Sequence, residues 1–221
     1  MDQSEKVMIN LKKSFERLDK DNRLYCIDKP IIGLTGGIAT GKSTVSKILT
    51  EKGLQVIDAD ALVKSIYKTE EAKSFVQKEF PEAWNNGINF KSLREIVFNY
   101  PESKNKIENF VYNRLPEVFK KASKQVKDQN FLIYDVPLLF EKKLDKKVDL
   151  TVVVYTPRSI QRSRIVSRDG SSIEEANLIL NQQLDIEEKK KWADFVIDNS
   201  ANVEELRTEV QEFLMQIMEG I

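Results

Sequence analysis

Histidine is absent from the 221 residues of this chain. Without an imidazole there is no Ser-His-Asp or Cys-His catalysis, no histidine general base and no His-ligated metal site. One cysteine, Cys26, excludes an internal disulfide and a cysteine-cluster metal site, and a reducing compartment fits such a chain. Long apolar runs are missing too, so no segment reads as a transmembrane helix. The opening stretch Met1–Leu18 is broken by Asp2, Glu5, Lys6, Lys12, Lys13, Glu16 and Arg17 and lacks a secretory core. A cytoplasmic location and no membrane partner are expected. Nor is there an excess of charge: 35 Lys and Arg face 35 Asp and Glu. Bulk electrostatics gives no reason to expect nucleic acid as a partner. With 32% charged and 41% hydrophobic residues the chain reads as globular, and its length fits one α/β domain with insertions.

Glycine is scarce but clustered: of eight, Gly33, Gly36, Gly37 and Gly41 fall close together. Upstream, Val7, Leu11, Phe15 and Leu18 recur at helical spacing, which predicts a short amphipathic helix over 3–18 in an N-terminal extension, 1–29. Asp19-Lys20-Asp21-Asn22 resembles the start of a calcium loop. However, Arg23 takes a ligand position, the glycine is missing, and Pro30 stands where the bidentate Glu belongs. Five apolar runs read as strands: Ile31–Thr35, Leu54–Asp58, Phe131–Asp135, Leu150–Tyr155 and Phe195–Asp198. Helical stretches between them argue for βα units and a parallel sheet. The long charged segments after the second and fourth runs read as inserted subdomains. Leu206, Val210, Phe213, Leu214 and Ile217 form the apolar stripe of a C-terminal helix.

The strand run Ile31–Thr35 leads into Gly36-Gly37-Ile38-Ala39-Thr40-Gly41-Lys42-Ser43 and then the helix-compatible Thr44–Glu51. This is G-x-x-x-x-G-K-[ST] in its strand–loop–helix context. Glycines let the backbone approach phosphate oxygens, and successive N–H groups with a helix N-terminus supply positive potential. Lys42 is placed to reach the β- and γ-phosphates, and the Ser43 hydroxyl to ligate Mg²⁺. No G-x-G-x-x-G Rossmann fingerprint follows this strand. A switch GTPase is excluded, because no glycine has Asp three residues before it and Asn105-Lys106-Ile107 is followed by Glu108.

Three strand runs end in acid, at Asp58, Asp135 and Asp198. Ligands of open α/β sheets bind beyond the carboxyl ends of the strands. Asp58 and Asp60 share a face if the extended conformation continues past the strand. From spacing alone, Asp60 is equally an N-cap for Ala61-Leu62-Val63-Lys64. Asp135 is placed as a second acid near the metal, acting through water, or as a turn residue before Pro137.

Five segments in order resemble the dephospho-coenzyme A kinase family. They are Gly33–Ile38 running into the phosphate loop, Val56–Asp60, Asp135-Val136-Pro137-Leu138-Leu139-Phe140-Glu141, Gln161 with Arg164 and Arg168-Asp169, and Ala193–Asn199. The resemblance covers about residues 30–206. It implies an α/β P-loop kinase, 30–221, with a five-stranded parallel sheet flanked by helices. The core would comprise 30–60, 131–156 and 192–221, with a helical CoA-binding subdomain at about 61–130 and a helical lid at about 157–191. It also implies transfer of the ATP γ-phosphoryl to the ribose 3′-hydroxyl of dephospho-CoA, with Mg²⁺; a monomer is expected. By that analogy the catalytic residues are Asp60, which orients the acceptor, with Lys42 and the lid arginine Arg164. ATP would be held by Gly36, Gly37, Ile38, Ala39, Thr40, Gly41, Lys42, Ser43, Thr44, Arg168 and Asn199. The substrate side would be Thr35, Asp60, Asp135, Pro137, Leu138 and Glu141. Two positions depart from the family: Tyr112-Asn113 replaces a His-Pro pair, and Ser200-Ala201 replaces a glycine turn. Other readings of the phosphate loop are a different nucleoside or nucleotide kinase, separated by acceptor choice, and a non-catalytic ATP-binding regulator.

Thr156-Pro157 predicts an N-cap with proline at the first helical position. Gln161, Arg164 and Arg168 then fall at i, i+3 and i+7 on one face, with Arg162 about 100° around the helix from Gln161. Gly170 ends that helix, and Ser172-Ile173-Glu174-Glu175 is a capping box for the next. Lys189-Lys190-Lys191 could approach phosphate or simply be solvated, and Trp84 and Trp192 read as packing residues.

Overall fold

Ile31–Gly36 carries no charge and is buried along its whole length, as a central strand covered on both faces requires. In the computed structural model, which describes residues 8–220, this strand, β1, is the middle of a parallel five-stranded sheet. The others are β2 (Val56–Asp58), β3 (Leu132–Asp135), β4 (Leu150–Tyr155) and β5 (Phe195–Asp198), in the order β2-β3-β1-β4-β5. Leu34 stands opposite Asp135, and Asp135 opposite Asp58, so the acids at the ends of β2 and β3 lie side by side. Strands on the two sides of β1 are reached by crossovers in opposite directions, which opens a crevice at its carboxyl end.

Helices α1 (Lys42–Glu51) and α10 (Val203–Ile217) share one core with the sheet. The expected stripe Leu206, Val210, Phe213, Leu214 and Ile217 is buried there with Val45, Ile48 and Leu49. Three helices lie between β4 and β5: α7 (Arg158–Asp169), α8 (Ile173–Leu180) and α9 (Ile186–Trp192). Gly170 ends α7 in the left-handed conformation, and Ser172 with Glu175 forms the capping box of α8, both as the sequence indicates. Among the described residues, no helix is long and apolar enough to cross a membrane.

The elements above belong to one compact unit, which comprises the chain up to Asp58 and from Val126 onward; Ala59–Gln125 is a second. The second unit is helical: α2 (Ala59–Tyr67), α3 (Glu70–Glu79), α4 (Phe90–Asn99), α5 (Pro101–Tyr112) and α6 (Leu115–Ser123). Thr69 and Asn89 cap α3 and α4, and Pro101 opens α5, where a missing N–H costs nothing. Its core includes Ile66, Ala72, Val76 and Phe119. Phe75 stacks on Phe110 with centroids 4.1 Å apart, and the Arg114 guanidinium lies over the Phe110 ring.

Residues 8–18 correct the expected amphipathic helix, whose first residues, 3–7, lie outside the described part. The segment is extended, with a single 3₁₀ turn at Lys13–Phe15. Ile9 pairs with Gln129 and Leu11 with Met218. Backbone bonds run from Ile9 N to Asp128 O (3.0 Å) and from Lys12 N to Ile217 O (2.9 Å). These distant partners satisfy the amides that a helix would have satisfied locally. Leu11 still reaches the main core, by a different route.

Candidate active site

The loop between β1 and α1 turns sharply because two residues adopt the left-handed conformation, Ala39 at φ 62° and Gly41 at φ 89°. For Ala39 this costs about 1–2 kcal/mol, so its surroundings must hold it. At Gly41 a side chain would also collide with the Asn199 amide, whose Nδ2 donates to Thr40 O at 2.7 Å. Gly41 occupies the N-cap of α1 and has no side chain to cap it. The first-turn amides of Lys42 and Ser43 therefore start the helix without intrahelical acceptors, the arrangement that receives anions.

Helix α7 and the α8–α9 connection hold the strained loop. Gln161 Nε2 donates to Ile38 O at 2.8 Å, and Ile38 N donates to Gln183 Oε1 at 3.1 Å. Ile38 and Ala39 pack on Ile165, Ala176 and Leu180. The Arg164 guanidinium donates to Ala39 O (3.2 Å), Thr156 Oγ1 (3.3 Å) and Asn199 O (2.9 Å). Arg168 instead forms a two-point pair with its neighbour Asp169. Arg164 and Arg168 line a cleft of about 940 Å³ together with Gly41–Thr44, Asn199, Ala201, Val203 and Leu206. Thr156 is not the N-cap expected for α7. The helix begins one residue later, so Pro157 takes the cap, and the buried Thr156 hydroxyl faces the carbonyls of Thr40 and Asn199.

Lys42 forms an ion pair with Asp135, whose other oxygen accepts from Ser46 Oγ at 2.7 Å. Asp135 is the buried last residue of β3 and not a turn residue. Thr35, fully buried at the end of β1, donates from Oγ1 to Pro137 O at 3.2 Å. Pro137 and Leu138 are half-buried. Glu141 accepts from Lys189 Nζ at 2.7 Å and from Leu184 N at 3.2 Å. Strand β2 stops at Asp58 and α2 starts at Ala59, so the extended conformation does not continue and Asp58 and Asp60 do not alternate along one strand. Asp60 is the exposed second residue of α2, inside the helix and not its cap, where an acid suits the helix dipole. It belongs to the Ala59–Gln125 unit, whereas the other expected site residues belong to the sheet unit.

One residue escaped the sequence reading, and for Lys189 the sequence leaves open an approach to phosphate or a solvated position. Gln183 carried no signal. Lys189 did: Ile186, Lys189 and Ala193 fall at i, i+3 and i+7, and Ile186 and Ala193 pack in the core cluster with Phe140 and Tyr155. Burial pushes the Lys189 ammonium below the ordinary lysine value, against the opposing pull of Glu141. On the same helix, Glu187 accepts from Tyr155 Oη at 2.6 Å, and that bond together with burial pushes the phenol up to about 12. Asp194, part of the resemblance, works in packing: it accepts from Thr151 N (2.8 Å) and Oγ1 (2.7 Å) and pairs with Arg17.

The arrangement can therefore bind a polyphosphate at a cationic helix N-terminus, with an ammonium and a guanidinium facing the same cleft. Known proteins resemble this chain over most of its length. The dephospho-CoA kinase family matches residues 30–205. The dephospho-CoA kinase of Fusobacterium nucleatum is 43% identical over 83% of this chain and 96% of its own length, and that of Agrobacterium fabrum 35% over 85% and 97%. Among solved structures, a Thermus thermophilus protein superimposes with a TM-score of 0.76 at 29% identity, covering 85% of this chain and 97% of that one. The dephospho-CoA kinase from Campylobacter jejuni gives 0.64 at 31%, covering 84% and 96%. With its phosphate loop, its sheet order and a match spanning most of its length, this chain belongs to the dephospho-CoA kinase family.

Proposed function

We propose that the chain transfers the γ-phosphoryl group of ATP to the ribose 3′-hydroxyl of dephospho-coenzyme A, giving coenzyme A and ADP. The observation that carries this reading is a complete phosphate loop, with Lys42 lodged against Asp135, in a chain that matches the family over residues 30–205. Phosphoryl transfer asks little covalent chemistry of a protein and depends on positioning and charge.

In this reading the amides of Gly36–Thr44 cradle the phosphates, and Lys42 bridges the β- and γ-phosphates as charge moves to the leaving oxygen. Arg164, on the cleft wall, stabilises the transferred group. Arg168 and Asn199 complete the nucleotide side. Ser43, and Asp135 through water, would hold Mg²⁺; a hydroxyl and a buried carboxylate are the hard oxygen donors that ion prefers. When bound with the nucleotide, Mg²⁺ neutralises charge on the phosphate oxygens. Asp60 orients the 3′-hydroxyl and accepts its proton as the new O–P bond forms. Thr35, Pro137, Leu138 and Glu141 shape the acceptor side. Residues 59–125 serve as the CoA-binding subdomain and 157–191 as the lid.

Incubation with Mg·ATP and dephospho-CoA should produce a new 3′-phosphate resonance in the ³¹P NMR spectrum. No product with this acceptor, at saturating Mg·ATP, would overturn the proposal. Asp60→Asn should lower kcat by ~10²–10⁴ while ATP affinity changes only a few-fold. Wild-type turnover in that variant would move the acid to Asp58, which stands opposite Asp135 in the sheet.

A further inference from the structure

Among the described residues one lysine is buried, Lys189, fully enclosed at 0% exposure. Its ammonium has three donors and meets three acceptors: Gly36 O at 3.2 Å, Pro137 O at 3.2 Å and Glu141 Oε1 at 2.7 Å. Gly36 ends β1 and opens the phosphate loop. Pro137 lies in the turn after β3, and its carbonyl also accepts from Thr35. One side chain on α9 thus ties the start of the nucleotide-binding loop to the segment read above as the acceptor side.

We propose that Lys189 is a positioning residue for phosphoryl transfer, a charged pin that sets the phosphate loop against the turn following β3. The inference rests on the proposed function. Stability alone is a poor reason for this charge. Taking an ammonium and a carboxylate out of water costs more than their attraction returns unless every remaining valence is satisfied, and an apolar pair of similar volume is often as stable or more so. Here the valences are not all satisfied, since Glu141 Oε2 is buried without a hydrogen-bond partner. What an apolar side chain cannot supply is direction. Three N–H groups on one nitrogen fix two carbonyls from different strand ends relative to each other. Those carbonyls belong to segments whose mutual placement decides the in-line geometry. Misplacement by about 1 Å can cost ~10² in rate without loss of binding.

The test compares wild type, Lys189→Met and the double variant Lys189→Met/Glu141→Gln. The measurements are thermal melting, kcat and KM for both substrates per folded protein, and the ³¹P spectrum of bound Mg·ADP. Lys189→Met should lower kcat by ~10–10² with both KM values within about threefold, and should shift the β-phosphorus resonance. It should also melt earlier, because Glu141 is left charged and unpaired. The double variant removes that charge and should recover the melting temperature while kcat stays low. Recovery of kcat together with stability, or a kcat within about twofold of wild type in the folded single variant, would overturn the proposal. Failure of both variants to fold would also overturn it, assigning Lys189 to the core. If wild type does not phosphorylate dephospho-CoA, the proposed function fails, and the pin is judged separately by the ³¹P shift and Kd of Mg·ADP.

Discussion

The two ends of the parallel sheet both bury charge and use it for different ends. At the amino end, Asp149 accepts from Leu18 N (2.9 Å), Ile31 N (2.8 Å), and Arg23 Nε (2.7 Å) and Nη2 (3.0 Å). Arg23 turns its remaining donors to the carbonyls of Ile27, Asp28 and Leu18. Both side chains are 5% exposed or less. The set is closed, and it fastens the segment before β1 to the start of β4. At the carboxyl end, Lys42 and Asp135 form the same kind of pair, but Lys42 is 18% exposed and borders the cleft. A pair whose valences are all consumed by the chain can only hold it together. One left at the edge of a cleft can exchange partners with a ligand.

This contrast is broken most severely at the closed end. Asp149→Ala leaves the Arg23 guanidinium buried and unpaired, and should cost about 3–5 kcal/mol in urea unfolding. Turnover per folded molecule should remain at the wild-type value. A variant that melts normally but turns over slowly would mean that the amino end takes part in the reaction.

At the open end the expectation reverses. Lys42→Ala should lower kcat by ~10²–10³ with a small change in unfolding free energy, read by steady-state kinetics alongside denaturation. A kcat within tenfold of wild type would remove this end of the sheet from the chemistry.

A narrower comparison lies within α7. Arg164 contacts the carbonyls of Ala39 and Asn199, whereas Arg162 points away from that face. Arg164→Ala should therefore reduce kcat by ~10², and Arg162→Ala by less than twofold. Equal small effects would remove the lid role from Arg164 and leave α7 as a support for the phosphate loop.

The smallest effect concerns acid. Burial would raise the Asp194 carboxyl, but hydrogen bonds from Arg17 and Thr151 outweigh it and hold the group below the ordinary aspartate value. A depressed folded-state value contributes stability that is present above the unfolded value near 3.9 and is lost as pH falls through the folded value. Asp194→Asn should flatten the stability–pH curve below about pH 4 by about 1 kcal/mol. An unchanged acid limb would show that these bonds contribute nothing to acid stability.

The phosphate loop was legible in the sequence because its instructions are local. A charge-free strand, a glycine at Gly41 where φ is positive, and a lysine at the helix start stand within a few residues of one another. The strands, the α10 stripe, the Gly170 stop and the Ser172 capping box were legible for the same reason. What the tertiary structure alone decided depended on partners far along the chain. Helical spacing at Leu11 and Phe15 yielded to backbone bonds with Asp128 and Ile217, because amides take whichever acceptors the fold brings within reach. Thr156 turned inward because the Asn199 and Thr40 carbonyls are there to receive its hydroxyl. Lys189, the first of three consecutive lysines, became the one that is buried, because only the assembled sheet places two carbonyls and a carboxylate around a single ammonium.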